Sequence, residues 1–188
     1  MMVFTHVAAG LTIAAAVAVR APDLAVPAAA GAVVGGVVPD LDLFVGTHRR
    51  TLHYPDLYWV PALGLGAVAL GQPSPLVAGA AVAAATAAVH SVSDWFGAAD
   101  ELRPWERTSA RAVYVHVADR WLAPRYWVRY DGAPEDLLAT VVLSTPALVV
   151  YDPPVRTLVL GMLALAVVYA AVRKRVPDLA EPLLEDAG

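Results

Sequence analysis

The 188-residue chain lacks cysteine altogether and has almost no lysine, Lys174 standing alone against twelve arginines. Without thiols there can be no disulfide and no thiolate metal site, so any metal must be held by histidine and carboxylate. Charge is also scarce. Charged residues make up 16% of the chain and the formal net charge is −4. That charge is too small to suggest a nucleic-acid partner, and no run of Lys and Arg supports one. The Arg-over-Lys bias with abundant Ala, Val and Asp suggests a GC-rich genome, such as that of a halophilic archaeon.

What replaces charge is apolar bulk, with hydrophobic residues at 59%. They do not recur at helical or strand periodicity. They come in blocks of Ala, Val, Leu and Gly that are apolar on every face, as suits lipid. Six such stretches occur, at 3–19, 24–38, 57–70, 75–92, 137–150 and 155–172. A full crossing needs about 20 apolar residues. The first, fourth and sixth reach or approach that length, and the second, third and fifth are short. The first stretch has no basic segment before it and no small-residue cleavage site, so it reads as a retained helix. Pro- and Gly-containing turns at 21–23, 71–74 and 152–154 join antiparallel neighbours. The fold class expected is all-α, a single polytopic membrane bundle of about six helices, with a polar tail at 176–188.

Two connections are long, 39–56 and 93–136. If six helices cross, both loops and both termini share one side. That side carries eleven Lys and Arg residues, and the other carries only Arg20 and Arg156. The positive-inside rule then puts the loops and termini in the cytoplasm, with the chain in the plasma membrane. Within the second loop, Thr108 or Ser109 can cap a helix running to about Leu122. Arg103, Arg107 and Arg111 recur every four residues and would share one face if that helix starts early, amid Trp105, Tyr114, Trp121, Tyr126, Trp127 and Tyr130. Arginine among amphipathic aromatics suits a helix at the headgroup level. It either anchors the loop or presents these three arginines to an anionic substrate headgroup.

The ionisable residues avoid the helix interiors. A pump or ion carrier would place them near the midplane. Here His6, His48, His53, His90 and His116 all fall on or near the loop side, as do Asp40, Asp42 and Asp94. In His90-Ser-Val-Ser-Asp94 the i, i+4 spacing stacks His90 and Asp94 on one helix face. Pro39-Asp40-Leu41-Asp42 crowds two carboxylates, an arrangement that is costly unless a cation neutralises them. His48-Arg49-Arg50-Thr51-Leu52-His53 adds two imidazoles and two guanidiniums. Each motif alone is equally a helix end or a juxtamembrane loop, and His116 reads as a surface residue.

In order, His6, Pro39-Asp40-Leu41-Asp42, His48-Arg49 with His53, and His90 with Asp94 resemble the YdjM-like membrane-bound metal-dependent hydrolases. Gly97 and Leu102-Arg103-Pro104 look like that family's following element. The resemblance spans about residues 1–105. The chain departs from it at Leu52 and Tyr54, where members often carry Thr and Ser, and at Leu43, where His is common. The resemblance implies one or two divalent ions (Zn, Mn or Fe) held by His6, Asp42, His53, His90 and Asp94. Asp40 would bridge metals or act as general base, Arg49 would neutralise developing charge, and His48 would ligate or protonate the leaving group. A phosphoester or ester, such as that of a membrane lipid, is the expected substrate. The competing expectations are a non-enzymatic membrane protein tied together by a metal or salt-bridge cluster, and a metal transporter or sensor.

Overall fold

The computed structural model describes residues 1–179. Most of the tail expected at 176–188 lies outside the described residues, and its first part, 176–179, is helical. Within the described residues, six α-helices make up most of the chain: α1 (Val3–Arg20), α2 (Ala25–Val37), α3 (Trp59–Gly71), α4 (Pro75–Ser93), α5 (Pro134–Val150) and α6 (Val155–Val172). Among the described residues, four helical segments are long and apolar enough to cross a membrane: Val3–Arg20, Pro22–Leu43, Pro75–Phe96 and Val155–Leu179. This is consistent with a membrane protein. At 13 residues, α3 is roughly 20 Å long, short of a hydrocarbon core of about 30 Å.

Helix starts follow proline. Ser74 caps α4 by accepting a hydrogen bond from Val77 N–H, and Pro75 occupies the first turn, where no N–H is needed. Pro134 does the same in α5.

α1 lies at the centre, packed by α2, α4 and α5, while α3 leans on α4 and α6 chiefly on α5. Small residues decide which helices close up. A Cβ on Gly31 would lie 2.1 Å from the Gly79 carbonyl oxygen, and one on Gly35 would lie 2.1 Å from that of Ala83. This Gly-xxx-Gly spacing lets the α2 backbone rest directly on α4, the usual route to tight helix contact in lipid. Asp136 ties α5 to the start of α1. It accepts from Met2 N–H (2.8 Å), Thr5 Oγ1 (2.6 Å) and Gly132 N–H (3.0 Å), all out of solvent.

The loop 97–133 is not helical as the sequence suggested. Its only regular structure is an antiparallel hairpin, β1 (Val113–Val115) and β2 (Arg120–Leu122), with Tyr114 opposite Trp121. The supposed capping residues are used locally: Thr108 bonds Glu101 through both backbone and hydroxyl, and Ser109 Oγ accepts from Arg111 N–H. Arg107 adopts a left-handed φ of 56°, which stops a helix there, and β-branched and aromatic residues follow. The arginine stripe therefore does not form. Arg103 pairs with Asp178 (3.0 Å), Arg107 stacks over Tyr126 and Arg111 over Trp121.

Candidate metal centre

The helix ends on the loop side converge on one buried cluster. α1 brings His6, the 3-10 turn after α2 (Val38–Leu43) brings Asp40 and Asp42, and the end of α4 brings His90 and Asp94. The loop 44–58 brings His48, Arg49 and His53. His6, Asp42, His53, His90 and Asp94 are buried. Ligand atoms of Asp40, His53, His90 and Asp94 lie within 4.8 Å of one another.

The ring orientations can be worked out from their partners. His90 Nδ1 donates to the Gly36 carbonyl (3.0 Å), a contact made possible by the glycine-rich seam that draws α2 onto α4. Ser93 Oγ donates to the His90 carbonyl (2.8 Å), so at 3.1 Å it must accept from His6 Nδ1. His53 Nδ1 donates to Asp42 Oδ2 (2.9 Å). All three rings thus carry hydrogen on Nδ1 and turn Nε2 inward, and none of these Nε2 atoms has a hydrogen-bond partner.

The inward Nε2 atoms meet carboxylate oxygens. His6 Nε2 is 3.2 Å from Asp94 Oδ1, and His53 Nε2 is 3.2 Å from Asp94 Oδ2 and 3.6 Å from Asp40 Oδ1. His90 Nε2 is 3.3 Å from Asp40 Oδ1 and 3.5 Å from Asp94 Oδ2. An imidazole lone pair facing a carboxylate lone pair is repulsive unless a proton or metal cation lies between them. Burial opposes a proton on His53, but the bond to Asp42 and the nearby carboxylates of Asp94 and Asp42 outweigh it and push the imidazole up to about 9. A divalent ion bound there would compete for the same place and displace that proton. The donor set, imidazole nitrogen with carboxylate oxygen, fits Zn, Mn or Fe.

Asp40 and Asp42 part company. Two residues apart in a 3-10 turn of about 3 residues per turn, they point roughly 120° away from each other. Asp40 reaches the inward nitrogens. Asp42 stays behind His53, accepting from His53 Nδ1, His48 Nδ1 (2.7 Å) and Leu52 N–H (3.1 Å). That is the position of a carboxylate that orients a ligand imidazole. Asp42, His48 and His53 also make a second group whose atoms are close enough for an ion.

Arg49 has a left-handed φ of 58° and is held from three sides. Its Nη1 donates to the Ala98 and Ala112 carbonyls, and its own carbonyl accepts from Tyr114 N–H (3.0 Å). Its Nε has no hydrogen-bond partner and lies 3.9 Å from Asp94 Oδ2. Burial works against its charge, but Asp94, Asp100, Asp131 and Asp40 outweigh that and raise its pKa. The amine of Met1 also reaches Asp94 Oδ1, at 2.7 Å.

Asp40, His48 and Arg49 line a cavity of about 560 Å³ that opens beside the cluster, together with Asp100, Glu101 and Arg173. Arg103, Arg107 and Arg111 do not line it, and His116 lies apart, against Tyr54. Sequence reasoning missed Gly36, Ser93, Asp100 and Asp136. Ser93 stood inside the His90–Asp94 motif and was the findable one. No match to this chain is found among family models, curated proteins or solved structures.

Proposed function

We propose that the chain is a membrane-bound metal-dependent hydrolase of phosphoesters, working at the face where its loops gather. The observation that carries this reading is the convergence of three unpartnered, tautomer-fixed Nε2 atoms on two carboxylates beside a cavity. His53, His90, Asp94 and Asp40 would hold the ion, with His6 on the far side of Asp94. The ion would supply Lewis acidity, acidifying a water and drawing charge from the phosphoryl group.

The chain's own residues do the rest. Asp40, with one edge in the cavity, takes the proton of the attacking water as its oxygen bonds to phosphorus. Arg49 Nε, rigidly placed and without a hydrogen-bond partner, donates to the oxygen on which charge develops. His48, its Nδ1 anchored on Asp42, turns Nε2 toward the leaving group and protonates it as the phosphorus–oxygen bond breaks. This reading agrees with the resemblance to the YdjM-like hydrolases. The runner-up is a charge cluster that ties helix ends without catalysis, favoured by the contacts Asp94 makes with Arg49 and the Met1 amine.

Protein purified in mild detergent should contain stoichiometric divalent metal and cleave bis(p-nitrophenyl) phosphate. The double variant His53→Ala/Asp94→Ala should lose the metal and stay in the membrane, whereas His116→Ala keeps it. Full metal in the double variant would refute the ligand set, and metal without turnover on any phosphoester would favour the runner-up.

We further propose six crossings, with α3 and α5 packed against the four longer spans and both termini cytoplasmic. The support is the segregation of eleven basic residues to one side against two on the other. Reporters fused after Gly71 and after Lys174 should give opposite outcomes; the same outcome at both would end the six-helix count.

A further inference from the structure

The polar cavity continues into the region of the bundle that faces lipid. Val3 and Phe4 form part of its wall, and the same two residues open an apolar groove of about 440 Å³. α1 supplies the floor of the groove with Val7 and Leu11. One wall is a stripe of α2 running from Val26 through Val33 to Val37, and the other is α6 at Leu158 and Met162. Val33 and Leu158 are 46% and 71% exposed, so the groove is open sideways toward the bilayer.

Its dimensions fit one occupant. From Val26 to Val37 the α2 wall is roughly 16 Å long at about 1.5 Å per residue. A groove of that length, apolar along its whole wall and running on to Pro154 and Val155 at the opposite turn, takes one extended acyl chain. The upper end of the groove, at Val37 and Val3, meets the cavity that Asp40, His48 and Arg49 line. A larger apolar hollow of about 820 Å³ between α1, α3 and α4 shares no lining residue with that cavity. Apolar volume alone therefore does not single out the groove. Its continuity with the candidate centre does.

We propose that the ligand of this site is a diacyl phospholipid, held with its phosphate headgroup in the polar cavity and one acyl chain in the α1/α2/α6 groove. It enters sideways from the leaflet and needs no passage through water. The class of substrate rests on the hydrolase reading, but the binding does not require turnover.

The test uses the full-length protein in phosphatidylcholine vesicles doped with a phosphatidylcholine carrying a diazirine midway along one acyl chain. After irradiation, adducts are mapped by peptide mass spectrometry. Labelling of α2 and α6 groove positions should exceed that of the outer face of α3 several-fold. Val33→Trp should cut groove labelling several-fold, with Leu158→Trp, from the opposite wall, as a second variant if the first does not insert. Leu70→Trp, in the unconnected hollow, should leave it unchanged. Uniform labelling of all lipid-facing helices overturns the proposal. So does labelling indifferent to both groove variants, or a groove shielded by a second copy that cross-links as a dimer. Groove labelling without phosphoester turnover supports the lipid site and removes the hydrolase reading alone.

Discussion

The segments containing α2 and α6 are both apolar enough to cross a membrane, yet they behave differently in the bundle. Of the best apolar window in Pro22–Leu43, 39% is buried, against 11% of that in Val155–Leu179. The difference is side-chain size. α2 is Ala and Gly with a few Val, and its glycines let two backbones touch, whereas α6 alternates Leu, Val and Met and turns most of them outward. In lipid there is no hydrophobic gain from hiding leucine against a neighbour, so close approach of small residues decides which helix is interior. The interior helix then positions chemistry, because the Gly36 carbonyl that orients His90 is available only while α2 rests on α4.

The sharpest way to break this comparison is to put the same side chain into both helices. Gly35→Leu drives a Cβ to 2.1 Å from the Ala83 carbonyl oxygen, whereas nothing lies within 4 Å of a Cβ on Gly161. The first should cost about 3 kcal/mol or more, the upper end for overpacked cores, and release the metal. Gly161→Leu should leave both the melting temperature in detergent and the metal content near those of the parent. Equal tolerance of the two would mean that the α2–α4 seam does not hold the centre.

A smaller effect separates the two ways a ligand imidazole is anchored. His90 hangs on a backbone carbonyl, which no side-chain change removes, and His53 hangs on the Asp42 carboxylate. Asp42→Asn keeps the shape but weakens the acceptor. Metal affinity, measured by competition with a chelator, should fall roughly 10–100-fold, as for other carboxylates behind a ligand histidine. Loss of metal at every concentration would instead make Asp42 a ligand, the role the family resemblance implied.

That contrast shows what the sequence disclosed. Uniform apolar runs punctuated by proline located α1, α4 and α6 to within a residue or so, because an all-apolar block has one stable form in lipid. The gathering of His6, Asp40, His53, His90 and Asp94 was legible because each stood at a helix end or in the loop on one side. The division of labour between Asp40 and Asp42 was not, since it depends on a 3-10 turn sending neighbouring carboxylates to different sides. The hairpin was also hidden. Thr108, Ser109 and regularly spaced arginines mimic a helix start, and only the left-handed turn at Arg107 and the pairing of Val113–Val115 with Arg120–Leu122 reveal otherwise.

The smallest effect expected lies on the α5–α6 side, where the comparison says little depends on any one contact. Glu135, ahead of the apolar stretch 137–150, accepts from the Arg129 backbone N–H (2.9 Å), Nε (2.9 Å) and Nη2 (3.0 Å). These bonds from the guanidinium hold its carboxyl down at about 2, against the modest opposing pull of partial burial. Because the folded value lies below the unfolded one, the stabilisation is complete above about 4.5 and fades as pH falls toward 2. The pair is largely exposed, so solvent and salt screen it and its worth is slight. Glu135→Gln should therefore leave the melting temperature at pH 7 almost unchanged and flatten only the acid limb of the stability profile, by an amount that shrinks further in high salt. A large loss at pH 7 would mean that the start of α5, where the neighbouring Asp136 grips Thr5 and Met2, is held from its exposed side as well as its buried one. The bundle would then depend on its periphery more than the contrast between α2 and α6 allows.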